Sequence, residues 1–304
     1  MSPTPPAKPT SGQPYPTPSG LAEPTDLCCL SVMTADSFWY LDDDGWHPLS
    51  SLSPSDRGLQ YGDGLFETLR FAADGSLPLQ HYHQQRLSEG LAALGFHPDL
   101  LKRALGGLNR LPQQTSAAKL IITRGAAGRG YMPPQDPGYH IQLQCFNAPA
   151  FAALRHPFGL RCEVSPVRLG RQPALAGFKH LNRLEQVLIR QQFPAGCEEV
   201  IVCDSDDNVI EACMSNLYFL QHGQWYTPDL SHSGVNGVVR RWLSASGRVQ
   251  SVSGIGVEQL LQADAVAMSN TLNGIVMVQT VGRHQYDQHP DIAEWQQEFQ
   301  ELFA

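Results

Sequence analysis

Lysine is nearly missing from this chain. Among 304 residues only Lys8, Lys102, Lys119 and Lys179 carry an amine side chain. Basic residues as a whole are outnumbered, 21 against 29 acidic ones, for a net charge of -8. A general nucleic-acid binder needs a basic face to meet phosphates, so no nucleic-acid partner is expected. Long apolar runs are absent too. The best short stretch, Leu27–Met33, falls far below the roughly 18 residues of a membrane helix. It has no basic region before it and no clear cleavage site after it, so neither a membrane partner nor a signal peptide is expected.

The seven cysteines are odd in number and form no C-x-x-C pair. Several lie in apolar, strand-like runs. The expectation is buried free thiols in a reducing cytoplasm, and no metal site, because no ligand spacing fits one. The glycine-rich stretch Gly125-Ala-Ala-Gly-Arg-Gly130 lacks the G-x-G-x-x-G order and runs into Tyr131-Met-Pro-Pro rather than a helix, which excludes a Rossmann loop. No Walker lysine and no G-x-S-x-G elbow occur.

What is present suits a folded body. Hydrophobic residues make up 42% and charged residues 16%, enough for a sizeable core. At roughly 100–200 residues per domain the length suggests two. Eight prolines crowd the first 24 residues, so 1–24 is expected to be a disordered extension. An N-terminal α+β domain is expected over 25–146, a small Ala- and Pro-containing linker over 147–157, and a C-terminal domain over 158–304, with a cleft between the two. The patterns place strands at Ser37–Asp42, Ala117–Thr123, His140–Phe146, Gly159–Ser165, Glu199–Cys203 and Val209–Glu211. A hairpin is expected from Leu217 to Tyr226. Helices are expected at His83–Leu94, Leu100–Leu108, Asn182–Gln192, Gly237–Ser246 and Ala293–Phe303.

Lys179 draws attention because the other three lysines read as surface or tail charges. It lies in Ala176-Gly-Phe-Lys-His-Leu-Asn182, before a helix and among small and apolar residues. An amine desolvated in such a place loses its proton near neutral pH and can form a Schiff base with an aldehyde. Glu211 follows 32 residues later at a strand end, flanked by Ala, Cys and Met. If buried it needs a partner, and a protonated pyridine nitrogen would be one. Arg86, the helix start at Val238 and Val239, and the polar turn Ser269-Asn-Thr271 could together hold a phosphate dianion.

These pieces occur in one order with Asp56-Arg-Gly-Leu-Gln-Tyr-Gly-Asp-Gly-Leu-Phe-Glu-Thr68 and Ser215-Asn-Leu217. Over about residues 36–285 the set resembles the fold type IV pyridoxal-phosphate enzymes, which include branched-chain and D-amino acid aminotransferases and 4-amino-4-deoxychorismate lyases. The stretch from Ser165 to Arg190, Thr123–Tyr131 and Ala263-Asp264 are most similar to the lyase branch. The resemblance implies a two-domain α+β fold with pyridoxal 5'-phosphate in the interdomain cleft. Lys179 would hold the cofactor as a Schiff base and act as the catalytic base. Glu211 would pair with the ring nitrogen, while Arg86, the amides of Val238 and Val239, and Thr271 would bind the phosphate. It also implies conversion of 4-amino-4-deoxychorismate to 4-aminobenzoate and pyruvate in folate biosynthesis, by a cytoplasmic homodimer. Aminotransfer on the same scaffold, or cofactor binding without catalysis, are the alternatives. Arg129, Arg183 and Arg124 are candidates for the substrate carboxylates, Arg129 being favoured, and Thr68 and Tyr131 for the cleft wall. Branched-chain aminotransferases carry a tyrosine five residues after the lysine. This chain has Leu184 there, which speaks against that branch.

Overall fold

The computed structural model describes residues 36–304. The extension at 1–24, the apolar stretch Leu27–Met33, and Cys28 and Cys29 lie outside the described residues. The first part is built from β1 (Ser37–Leu41), β2 (Trp46–Pro48), α1 (Arg57–Tyr61), β3 (Gly64–Arg70), α2 (Gln80–Ala93), α3 (Asp99–Leu108), β4 (Ala117–Thr123) and β5 (His140–Phe146). Its five strands form an antiparallel sheet in the order β2-β1-β5-β4-β3. Leu65, Leu69, Leu120, Ile122, Ile141 and Leu143 alternate onto one face and bury it under α2 and α3. Gly90 lets α2 approach closely: a Cβ there would fall 2.9 Å from Leu65 Cδ1.

After β5 come α4 (Ala152–Arg155), β6 (Leu160–Val164), α5 (Leu184–Gln191), β7 (Glu199–Cys203), β8 (Val209–Ala212), β9 (Asn216–Gln221) and β10 (Gln224–Pro228). Then follow α6 (Val238–Ala245), β11 (Gln250–Val252), α7 (Val257–Leu261), β12 (Ala265–Asn270), β13 (Gly274–Val281), β14 (His284–Gln285) and α8 (Pro290–Glu301). The second sheet runs β11-β10-β9-β12-β13-β6-β7-β8, with β14 on β13. It mixes parallel pairs (β10 with β11, β13 with β6, β6 with β7) with antiparallel ones. Both faces of β7, β8 and β12 are buried, and these strands are accordingly apolar on successive positions rather than alternating, with Glu199, Glu211 and Ser269 as buried polar exceptions. Tyr218, Leu243 and Phe299 pack on one side, and Leu217, Phe219 and Met268 on the other.

The expected strands and helices occur within a few residues of their sequence bounds. The strands outside the marked ranges are β2, β3, β11, β12, β13 and β14, the short helices α1 and α7 are likewise unmarked, and a single helical turn, α4, lies in the stretch read as a linker. On α5 only Ile189 is buried; Leu184, Val187 and Leu188 face outward. All five described cysteines are free, with Cys145, Cys162, Cys203 and Cys213 buried. Among the described residues no helix is long and apolar enough to cross a membrane.

The two leucine environments give a direct contrast. Leu69→Ala, at a fully buried position of β3, should cost about 2–5 kcal/mol in denaturant unfolding. Leu184→Ala, 70% exposed on α5, should stay within about 0.5 kcal/mol.

Candidate active site

A cavity of about 340 Å³ is lined by residues from both sheets, among them Phe66, Thr68, Arg86, Lys179, Arg183, Glu211, Val238, Val239 and Thr271. Eight of the eleven residues singled out from the sequence therefore converge on one space. Arg129 and Tyr131 do not. Arg129 is exposed, and Tyr131 is 84% exposed with its ring edge against Tyr61. Their loop is fastened by Arg57, whose guanidinium donates to the carbonyls of Gly130 and Tyr131 at 3.0 and 2.9 Å. Arg124 is also engaged elsewhere. It is buried against Asp63 at 2.9 Å and stacks over Phe96.

Strand β3 assembles the site. The Phe66 amide donates to the Lys179 carbonyl at 2.9 Å, and the Leu181 amide donates to the Gly64 carbonyl at 3.0 Å. The lysine segment thus pairs with β3 like a short added strand, and Lys179 Nζ comes 4.5 Å from the centre of the Phe66 ring. Lys119 Nζ stands 4.7 Å from the same ring. The sequence reading of Lys119 as a plain surface charge is corrected: it is half-buried in the middle of β4, and burial lowers its pKa.

Burial is the main reason that the Lys179 pKa falls to about 7, with the positive charges of Arg86 and then Arg183 adding to it. The amine is therefore substantially neutral at physiological pH. Neighbouring His180 is lowered to about 4, by burial first and Arg183 second, so it stands uncharged beside the lysine.

Glu67, on the opposite face of β3 from Phe66, points to α2. It accepts from Arg86 Nε at 2.8 Å, from Arg86 Nη2 at 2.5 Å and from His83 Nδ1 at 2.7 Å. Burial opposes its charge, but Arg86, followed by His83, outweighs burial and holds the carboxyl at about 2. The pairing fixes the Arg86 guanidinium and leaves Nη1 with no acceptor among the described residues. Arg70, further along β3, donates to the carbonyls of Pro149 at 2.8 Å and Leu272 at 2.5 Å, which pins the turn that carries Thr271.

The other wall comes from the second sheet. Glu211 at the end of β8 accepts the Val235 amide at 2.9 Å through Oε2, and Oε1 has no donor among the described residues. Burial raises its pKa to about 7. Asn216, opening β9, accepts the Gly237 amide at 3.1 Å and donates to the Val235 carbonyl at 2.7 Å. These contacts clip residues 235–237 into place ahead of α6. A Cβ on Gly237 would lie 2.0 Å from Asn216 Oδ1, so any larger residue there would push that amide out of its bond to the Gly237 N–H. Gly237 is also the residue that caps the start of α6, and it supplies no capping side chain. The first backbone bond of the helix is made by Arg241, so the amides of Val238 and Val239 are left free at the cavity wall.

The arrangement meets the demands of a phosphorylated pyridine aldehyde. A guanidinium with an open Nη1, two uncapped helix amides and the Thr271 hydroxyl suit a phosphate dianion. A half-satisfied buried carboxylate suits a protonated ring nitrogen, and a neutral amine suits the aldehyde. Sequence reasoning gave no role to Phe66, Glu67, Asn216 or Gln186, although all four lie inside the motifs that carried the resemblance. Their roles rest on contacts across 19 to 113 residues of chain, which no local pattern announces: Glu67 with Arg86 and Phe66 with Lys179.

The class IV amino-transferase family model matches residues 64–281. The chain belongs to the class IV aminotransferases. Among its relatives is the aminodeoxychorismate lyase of Vibrio harveyi, 34% identical over 76% of this chain and 88% of that protein. The crystal structure of 4-amino-4-deoxychorismate lyase from Pseudomonas aeruginosa superposes with a TM-score of 0.77 at 34% identity, covering 88% of this chain and 98% of that one. A hypothetical aminotransferase from Mycobacterium tuberculosis, solved in its PLP-bound form, shares the fold. Its TM-score is 0.69 at 20% identity, with 88% of this chain and 99% of that chain covered. As in other class IV aminotransferases, the present fold is α+β, of fold type IV.

The lowered basicity of Lys179 has a measurable sign. Below its pKa the ammonium predominates and is unreactive; above it the amine is free. In protein stripped of any bound aldehyde, the acylation rate of Lys179 should rise with pH about a midpoint near 7. A midpoint at the ordinary lysine value of about 10.4 would contradict this environment.

Proposed function

We propose that this chain is a pyridoxal-phosphate-dependent aminodeoxychorismate lyase, converting 4-amino-4-deoxychorismate to 4-aminobenzoate and pyruvate in folate biosynthesis. The observation that carries the proposal is the convergence of Lys179, Glu211, Arg86 and the open α6 amides on one cavity, in a chain 34% identical to two lyases over most of its length.

When bound, the cofactor supplies an electron sink for the pair left behind when a proton leaves the substrate carbon that bears nitrogen. The protein does the rest. Arg86, the Val238 and Val239 amides and Thr271 hold the phosphate. Glu211 holds a proton on the ring nitrogen with the oxygen not used by Val235. Lys179 Nζ, neutral near pH 7, takes the proton from the substrate carbon and keeps it within reach for return. Phe66, under Nζ, and Thr68, two residues along the same face of β3, bound the space where that carbon must sit. The C–O bond to the enolpyruvyl group breaks, that group takes up a proton at its methylene carbon and departs as pyruvate, and the ring left behind is aromatic, which makes the reaction strongly downhill. Arg129 and Tyr131, exposed outside the cavity, are given no part in substrate binding.

A homodimer is the proposed assembly, and the exposed apolar residues Leu184, Val187 and Leu188 on α5 are compatible with a covered face. A cytoplasmic location is inferred from the buried, unpaired cysteines.

Purified protein given enzymatically generated 4-amino-4-deoxychorismate should release 4-aminobenzoate and pyruvate in equal amounts. Lys179→Ala should lower kcat by roughly 10²–10⁴-fold or more. An aminotransferase would instead lose its visible cofactor band lastingly when given an amino donor alone, and would then need a keto acid. A non-catalytic binder would keep the band and turn over neither substrate.

A further inference from the structure

Two polar groups in the cavity wall lack partners among the described residues, and they lie one helical turn apart. Arg183, the residue before α5, donates Nε to the His180 carbonyl and Nη2 to the Phe178 carbonyl, both at 2.9 Å. Those bonds set the plane of the guanidinium and leave Nη1 with no acceptor among the described residues. Gln186, three residues on, has its amide oxygen buried without a donor. Residues three apart share a helix face, and both residues line the 340 Å³ cavity. Leu184 between them is 70% exposed and turned away. An unused donor and an unused acceptor on one wall call for a ligand atom that can serve both, and a hydroxyl oxygen is such an atom.

The position of this pair singles out one hydroxyl. The argument rests on the cofactor proposed above. Lys179 marks the aldehyde carbon, Glu211 the ring nitrogen, and Arg86 with the α6 amides the phosphate arm. In pyridoxal phosphate the ring hydroxyl flanks the aldehyde carbon on the side opposite the phosphate arm. Arg86 serves the phosphate side. Arg183 is the second guanidinium of the cavity, and its charge acts on both Lys179 and Glu211, the two groups between which that hydroxyl edge runs.

We propose that Arg183 binds the ring hydroxyl oxygen of the cofactor, with Gln186 beside it, and is not a clamp for a substrate carboxylate. Gln186 serves either form of that oxygen, its amide oxygen facing a hydroxyl or its amide nitrogen facing an oxyanion. A fixed cation at this edge favours the oxyanion and disfavours a proton on the adjoining Schiff-base nitrogen. The nitrogen therefore gives up its proton at lower pH than it would without Arg183.

The test is a pH titration of the visible absorption of the cofactor-loaded protein with no substrate present, for the wild type, Arg183→Met and Arg183→Lys. The proposal predicts that the midpoint rises by about one pH unit or more in Arg183→Met, a tenfold change in the proton equilibrium, and that Arg183→Lys falls between. Should Arg183→Met fail to fold for want of its two carbonyl bonds, Gln186→Leu disturbs neither bond and should still shift the absorption maximum. An unmoved midpoint and maximum in every loaded variant, with KM for aminodeoxychorismate raised in those at Arg183, would overturn the proposal and return Arg183 to the substrate. Because no substrate enters the titration, this result is independent of whether the enzyme is a lyase or an aminotransferase. A wild type that binds no chromophore would instead defeat the cofactor assignment on which both rest.

Discussion

The site depends on keeping one amine dry and next to two guanidinium groups. Lys179 would be an ordinary ammonium in water. Burial, helped by Arg86 and Arg183, brings its pKa to about 7, and the backbone pairing of its segment with β3 keeps it there. Neither arrangement is free of cost, since a buried and a half-buried arginine beside a lysine repel it. Arg86 is stabilised by the buried carboxylate of Glu67, which takes two of its nitrogens. Arg183 is held by two backbone carbonyls, which compensate its hydrogen bonding but not its charge. The first guanidinium is thus neutralised by the protein. The second has no carboxylate paired to it among the described residues.

Strand β3 is the common support. Phe66 and Thr68 face the cavity, Glu67 reaches α2 from the other face, and Arg70 ties down the turn that carries Thr271. The period-two alternation of one strand therefore distributes the active-site scaffold to both sides of the first sheet. From the second sheet, Glu211 and Asn216 hold the loop that presents the α6 amides. The catalytic lysine lies on the segment that joins these two systems. A shift of β3 relative to the second sheet would alter the aldehyde end and the phosphate end of the cavity together.

Much of this was legible in the chain. The apolar runs at Glu199–Cys203 and Ala117–Thr123 gave their strands to the residue, because burial on both faces or clear alternation leaves little choice of structure. Lys179 and Glu211 stood out as charges among small and apolar neighbours, and the helix start at Val238 as a phosphate cradle. β3 was not read as a strand because its sequence, Gly64-Leu-Phe-Glu-Thr-Leu-Arg70, interrupts apolar positions with charges whose partners are remote. Glu67 looks misplaced until Arg86 and His83 arrive from α2. Arg129 lies outside the cavity lining for the opposite reason. A glycine-rich loop reads as mobile and functional, yet Arg57 fastens this one by its carbonyls on the outside of the molecule. Arg183 lines the cavity, but its two backbone bonds, which decide how its remaining nitrogen can be used, are invisible in sequence.

The covalent attachment of the cofactor to Lys179 can be examined without any assumption about substrate. Borohydride reduction of the loaded protein, followed by proteolysis and mass mapping, should place a single phosphopyridoxyl adduct on the peptide that contains Ala176–His180. An adduct on Lys102 or Lys119 instead, or no adduct in protein that carries the chromophore, would contradict the assignment of the site.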